Sequence, residues 1–224
     1  MFIVFDLDGT LIDGYGGIAH ALEFAMEELG VAPLSLERVR GMVGRGLDVL
    51  LEEAVGPELA PRGVLLFRER YAEIADEETI LLPDVPEVLT RLAEAGHAMA
   101  VASNKPEKFS RRILAGKGVA SRFLAVAGPD AETPPKPDPA MVLALRKQVG
   151  ATAEETVIVG DMEIDAETAL AAGCRCVLVS GGSRSAEYLA AVPADAHIAS
   201  LAELPNTIER WSRTVRVAGP TIGP

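Results

Sequence analysis

The segment FIVFDLDGT, residues 2–10, restricts the possible folds more than any other stretch of this chain. Phe2, Ile3, Val4 and Phe5 form an unbroken apolar run. A run without polar alternation suits a strand buried on both faces, as in a parallel sheet with helices on either side. Yet it leads straight into Asp6 and Asp8, two carboxylates one residue apart. The edge reached by such strand ends is where open parallel sheets bind their ligands.

After residue 14 the spacing of apolar residues becomes helical and stays so to about residue 80. IAHALEFAMEELG, LSLERVRGMVG, LDVLLEEAVG and PRGVLLFRERYAEIADEE follow one another, with glycines and prolines at the joints. From residue 82, short apolar strands such as HAMAVASN, RFLAVAGPD, ETVIVGD and RCVLVSGG alternate with helical segments. This predicts an α/β fold, a doubly wound parallel-sheet (Rossmann-like) core with right-handed crossovers. The expected core is 1–13 and 82–211, split by an inserted all-helical cap at 14–81. The Gly- and Pro-containing stretch 212–224 reads as a loosely held tail.

Acidic residues outnumber basic ones 33 to 21, for a formal charge of −12. Such a surface repels phosphate backbones, so nucleic acid is not an expected partner. An anionic substrate then needs a local cation. No stretch of 18 apolar residues occurs, so no membrane span is predicted, and the opening lacks the basic flank and length of a signal peptide. Cys174 and Cys176, on one face of an expected strand, read as reduced thiols, which points to a cytoplasmic protein. Monomer and homodimer both remain open.

Four polar segments are expected at the carboxyl edge of the sheet: Asp6-Leu7-Asp8-Gly9-Thr10, Ser103-Asn104-Lys105, Gly160-Asp161 with Asp165, and Lys136 between prolines. Any one alone is explained by a helix cap or a turn. Together they bring four carboxylates, Asp6, Asp8, Asp161 and Asp165, into one crevice, where they repel unless a cation is present. A hard divalent ion such as Mg2+ takes oxygen ligands and commonly bridges a substrate phosphate. A purely structural ion leaves Lys136 and Ser103 unexplained. In a phosphoryl-transfer site one aspartate of the first pair attacks phosphorus and the other carries the proton. Gly9, Thr10, Ser103, Asn104 and Lys136 are the expected phosphoryl-binding groups.

Taken together, these segments resemble the motifs of the haloacid dehalogenase-like superfamily, and the likeness covers nearly the whole chain. DLDGT at 6–10 is similar to its first motif, which implies Asp6 as nucleophile and Asp8 as general acid/base and as a metal ligand through its backbone carbonyl. Ser103 matches the second motif and Lys136, in PKPDP, the third. GDMEID at 160–165 is similar to the fourth, implying Asp161 as a metal ligand and Asp165 as a further ligand or outer-sphere partner. An all-helical cap after the first motif is the layout of phosphoglycolate phosphatases and their relatives. The resemblance therefore implies a Mg2+-dependent phosphatase for a small phosphorylated metabolite, with 2-phosphoglycolate the first candidate. Pyrophosphatases, sugar-phosphate phosphatases and phosphomutases share the layout, and a non-catalytic phosphate-binding protein is a further alternative. Asp8 argues against a true dehalogenase, which has no leaving alkoxide to protonate. A mutase needs a histidine at the position of Ile18; His20 lies two residues later.

Arg45, between Gly44 and Gly46, is the candidate cap contact for a substrate carboxylate. Gly14-Tyr15-Gly16-Gly17 departs from the family pattern and reads as a flexible hinge to the cap. Gly181-Gly182-Ser183 reads as a turn capping the next helix.

Overall fold

A computed structural model of the chain describes residues 1–130 and 133–217. In chain order the elements are β1 (Phe2–Phe5), β2 (Ile12–Asp13), α1 (Tyr15–Glu28), α2 (Leu36–Met42), α3 (Leu47–Val55), α4 (Ala60–Ile74), β3 (Ile80–Leu81), α5 (Val85–Glu94) and β4 (Ala98–Ala102). There follow α6 (Glu107–Gly116), β5 (Ala125–Ala127), α7 (Ala140–Val149), β6 (Thr156–Gly160), α8 (Glu163–Ala172), β7 (Arg175–Val179), α9 (Ala186–Ala190), β8 (Ala196–Ile198) and α10 (Leu204–Val217).

Six strands form a parallel sheet in the order β5-β4-β1-β6-β7-β8. The apolar opening run becomes its central strand, with Phe2 opposite both Ala98 and Thr156. Alternate side chains of β1 serve opposite faces. Ile3 and Phe5 join one buried cluster with α5, α6 and α10, while Phe2 and Val4 join another with Met141, Val142 and Leu145 of α7 and Ala166, Ala169 and Ala172 of α8. Both faces of the sheet are thus covered, as the unbroken apolar run requires. The order reverses about β1, whose next strand in sequence within this sheet is β4 on one side while β6 lies on the other. A crevice therefore opens beyond the carboxyl end of β1, at the switch point favoured for ligands.

Helices α1 to α4 lie between the two short strands β2 and β3, which pair antiparallel, Ile12 with Leu81 and Asp13 with Ile80. Two-residue strands carry no periodic signal, and the sequence did not predict this ribbon. It ties together the two crossings between helical segment and sheet, and Leu82 N–H extends it by donating to Leu11 O at 3.0 Å. Gly14 is the N-cap of α1, and Gly16 and Gly17 lie in its first turn, so the expected hinge is helical here. At the other end, α10 continues to Val217, so 212–217 of the expected tail are helical. The remainder of that expected tail, 218–224, lies outside the described residues. Among the described residues no helix is long and apolar enough to cross a membrane, and Cys174 and Cys176 are free thiols, the latter buried.

Candidate active site

β1 stops at Phe5, so Asp6 and Asp8 lie beyond the strand and not on one of its faces. Asp6 N–H still donates to Val159 O at 2.8 Å, after which the chain turns back: Leu11 and Ile12 N–H both donate to Leu7 O, at 2.9 and 3.1 Å. This turn separates the two acids. Asp6 Oδ1 lies 2.9 Å from Lys136 Nζ, and Asp8 Oδ2 lies 3.1 Å from Lys105 Nζ. The Asp6 contact is ionic without the angles of a hydrogen bond, and both Asp6 Oδ1 and Asp8 Oδ1 are buried without a hydrogen-bond partner.

Gly9 makes the turn possible. Its φ of +82° is one that residues with a side chain rarely adopt, and a Cβ there would run into Asp161 Oδ2 and the Tyr15 hydroxyl. Gly14 has a similar reason: a Cβ would sit 2.8 Å from Asp8 Oδ1.

Lys136 is buried and held from two directions. Its ammonium donates to Asp165 Oδ1 at 2.7 Å and faces Asp6. Its backbone N–H donates to Asn104 Oδ1 at 2.7 Å, and its carbonyl accepts from Asn104 Nδ2 at 3.0 Å. The same Nδ2 donates to Gly44 O at 2.9 Å, in the α2–α3 connection. Asn104 therefore acts through its side chain, joining the lysine loop to the helical segment. Asp165 sits in the first turn of α8, where its Oδ2 accepts from Met162 N–H at 3.1 Å and caps the helix. Asp161, at the end of β6, accepts from Thr10 Oγ1 at 3.3 Å and from Ser183 N–H at 2.6 Å. Ser103 is buried at the end of β4, its Oγ accepting from Lys105 N–H at 3.3 Å, and it lines the same cavity as Asp6 and Asp8.

Asp6, Asp161 and Asp165 each offer a carboxylate oxygen, all within 4.8 Å of one another and all buried. Asp8, expected as a fourth carboxylate of this group, instead pairs through its side chain with Lys105. Burial and the neighbouring acids push the carboxyl pKa values of Asp161 and Asp165 up, against the opposing charge of Lys136 in the case of Asp165. Three oxygen donors with no cation among them except one lysine, and an unpartnered oxygen on Asp6, fit a hard divalent ion such as Mg2+. Burial also raises Asp8, with Asp6 adding to the effect and Lys105 opposing it. Burial disfavours the charge of Lys136 and of Lys105, but their acidic neighbours outweigh it and hold both above the ordinary lysine value.

Arg45 is half-exposed and lies 3.8 Å from Glu163, which Arg184 also holds at 2.9 Å. It does not line the cavity. Ser185, not Ser183, caps α9. Ser183 belongs to the site through Asp161, and its Oγ is 2.6 Å from the hydroxyl of Tyr15. Tyr15, Ser183, Lys105 and Tyr71 are the participants that sequence reasoning did not single out. Lys105 had a usable signal, since it directly follows Ser103-Asn104 at a strand end.

Asp6, Asp8, Tyr71, Ser103, Lys105 and Ser183 line a cavity between the sheet edge and the helical segment. The family description "Haloacid dehalogenase-like hydrolase" matches residues 3–179. The chain belongs to that family. It is 37% identical over 189 residues to a protein of Pseudomonas putida named phosphoglycolate phosphatase, covering 80% of this chain and 69% of that one. It is 36% identical to one of the same name from Vibrio parahaemolyticus, covering 90% and 93%. A crystal structure from Haemophilus somnus, described as a predicted phosphoglycolate phosphatase, superposes with a TM-score of 0.86 at 27% identity, covering 92% and 96%.

Proposed function

We propose that the chain is a Mg2+-dependent phosphatase that hydrolyses a small phosphorylated metabolite through an aspartyl-phosphate on Asp6, with residues 14–81 as the cap that covers the site. The observation that carries this reading is the position of Asp6. It lies at the cavity floor, 2.9 Å from Lys136 and within 4.8 Å of donors from Asp161 and Asp165. Asp6, Asp161, Asp165 and the Asp8 carbonyl would hold the ion, which would supply positive charge beside the phosphoryl group.

An oxygen of Asp6 attacks phosphorus, and the bond from phosphorus to the ester oxygen breaks. Asp8 gives its proton to the departing alkoxide. The raised pKa of Asp8 suits a group that must carry a proton before the first step. A water then attacks the acyl phosphate and loses its proton to Asp8. The bond from phosphorus to Asp6 breaks, releasing phosphate and restoring both aspartates. Lys136 and Ser103 hold the phosphoryl oxygens while charge shifts. Lys136 also fixes Asp6 and Asp165 relative to each other.

The relatives named phosphoglycolate phosphatase make 2-phosphoglycolate the leading substrate. The mutase alternative loses support from the position it depends on. Ile18 is buried against the cavity, and His20 pairs with Glu78 at 2.7 Å on the surface. Phosphate release from 2-phosphoglycolate with and without Mg2+, for the native chain and Asp6→Asn, tests the proposal. Loss of turnover on chelation and in Asp6→Asn is expected; turnover retained in the chelated variant refutes it.

A further inference from the structure

The phosphatase reading leaves open what the site recognises beyond the phosphoryl group. The wall facing Asp6 and Asp8 is strongly apolar, with Ile18, Leu47, Leu50, Phe67 and Phe109 among its members. The hydroxyls of a sugar or polyol phosphate would meet no partners on these side chains, which is costly for buried polar groups. Among the described residues lining the cavity, one is a cation: Lys105.

Lys105 is set in place by both halves of the molecule. Its ammonium donates to the hydroxyl of Tyr71 on α4 at 2.8 Å and lies 3.1 Å from Asp8 Oδ2. Tyr71 is itself fixed, stacked on Phe67 with ring centroids 5.3 Å apart and edge-on to Phe109 at 5.1 Å. An ammonium has three donors. One is engaged by the Tyr71 hydroxyl, Asp8 faces the ammonium as an ion pair, and the group lines the cavity.

Position gives this ammonium a meaning, on the reading that Asp8 protonates the leaving oxygen. That oxygen must lie within hydrogen-bond reach of Asp8, hence close to Lys105. A carboxyl carbon attached to the carbon that bears the ester oxygen is about 2.4 Å from it, by ordinary bond lengths. A carboxylate there comes within reach of the ammonium, while a longer polar chain runs into the apolar wall.

We propose that Lys105, oriented by Tyr71, determines specificity by pairing with a carboxylate on the ester-bearing carbon, so that the substrates are phosphate esters of short 2-hydroxy acids. Arg45, the sequence candidate for this role, is turned to Glu163 instead.

The test compares 2-phosphoglycolate with ethyl phosphate, which has a methyl group in place of the carboxylate. The ratio of their kcat/KM values is measured by phosphate release in Mg2+ for the native chain, Lys105→Met and Tyr71→Phe. The native ratio is expected to favour 2-phosphoglycolate by on the order of 10²-fold, as for a desolvated charge pair. Lys105→Met should abolish most of that preference, and Tyr71→Phe should lower it several-fold. Tyr71→Phe removes one hydroxyl and keeps the ring stack, so it still reports if Lys105→Met does not fold. A native ratio near one overturns the proposal. So does an unchanged ratio in the variants with both substrates slowed alike, which makes Lys105 a support for Asp8 alone. A native chain that releases phosphate from ethyl phosphate but has no preference refutes the specificity claim and leaves the phosphatase standing; one that releases phosphate from neither, nor from an aryl phosphate, refutes both.

Discussion

Replacing Lys136 with methionine tests whether this lysine holds two buried carboxylates, Asp6 and Asp165, in one place. Its Nζ lies 2.9 Å from Asp6 and 2.7 Å from Asp165, and the side chain is 2% exposed. Methionine keeps the apolar stem and removes the charge. Removing one partner of a buried ion pair costs about 3–5 kcal/mol, because the remaining charge is left uncompensated. For a domain of this size that is roughly 6–20 °C in Tm. The loss must also depend on pH. Burial and the other acids already raise Asp165 with the lysine present, and removing the lysine raises it further. A carboxyl with a folded-state pKa above its unfolded value contributes stability that is present below the unfolded pKa and lost as pH rises through the folded one. Lys136→Met is therefore weakest at pH 8 and closest to the native chain near pH 5. Urea denaturation in chelator, followed by circular dichroism at both pH values, reads the difference. A loss under about 1 kcal/mol at pH 8, within the range of ordinary surface changes, refutes the reasoning. So does an equal loss at both pH values.

Two further outcomes follow from the same geometry. Asp8→Asn keeps the shape of the side chain and removes the proton carrier, so kcat on an alkyl phosphate should fall about 10²–10⁴-fold. With p-nitrophenyl phosphate, whose leaving group needs no proton, stopped-flow should show a stoichiometric burst before a slow phase; absence of the burst contradicts the division of roles between Asp6 and Asp8. The raised pKa values of Asp161 and Asp165 in the metal-free protein also mean that ionising them costs stability as pH rises through that window. The gain in Tm on adding Mg2+ should accordingly be larger at pH 8 than at pH 5, which thermal denaturation at fixed ionic strength measures.

The central strand and the alternation after residue 82 were legible because burial on both sheet faces imposes a composition that a single segment displays by itself. The grouping of Asp6, Ser103, Asp161 and Asp165 with Lys136 was legible for a related reason: Asp6, Ser103 and Asp161 stand just beyond strand ends, Asp165 opens the next helix and Lys136 lies in the loop after β5, and a parallel sheet gathers these segments at one edge. What escaped were the pairings made across that edge. Lys105 could be placed beside Ser103, but nothing local says that its ammonium reaches Asp8 and Tyr71. Arg45 shows the same limit from the other side. Its flanking glycines suggested close approach to a ligand, while the pairing seen in the structure is with Glu163, from α8.

The glycines show why such pairings stay hidden. Residues 9, 14 and 182 look alike in sequence, each in a glycine-containing turn or run. In space, Gly9 leaves room for Asp161 and Tyr15, Gly14 for Asp8, and Gly182 for Asp161 again. Each is required by a side chain far away in the chain or across a turn, and its reason is the volume of that neighbour. Reading Gly14 as a hinge assigned flexibility to a position whose constraint is lack of space. The site is thus specified twice: once by polar residues at strand ends, which a sequence displays, and once by the absence of side chains opposite them, which only packing reveals.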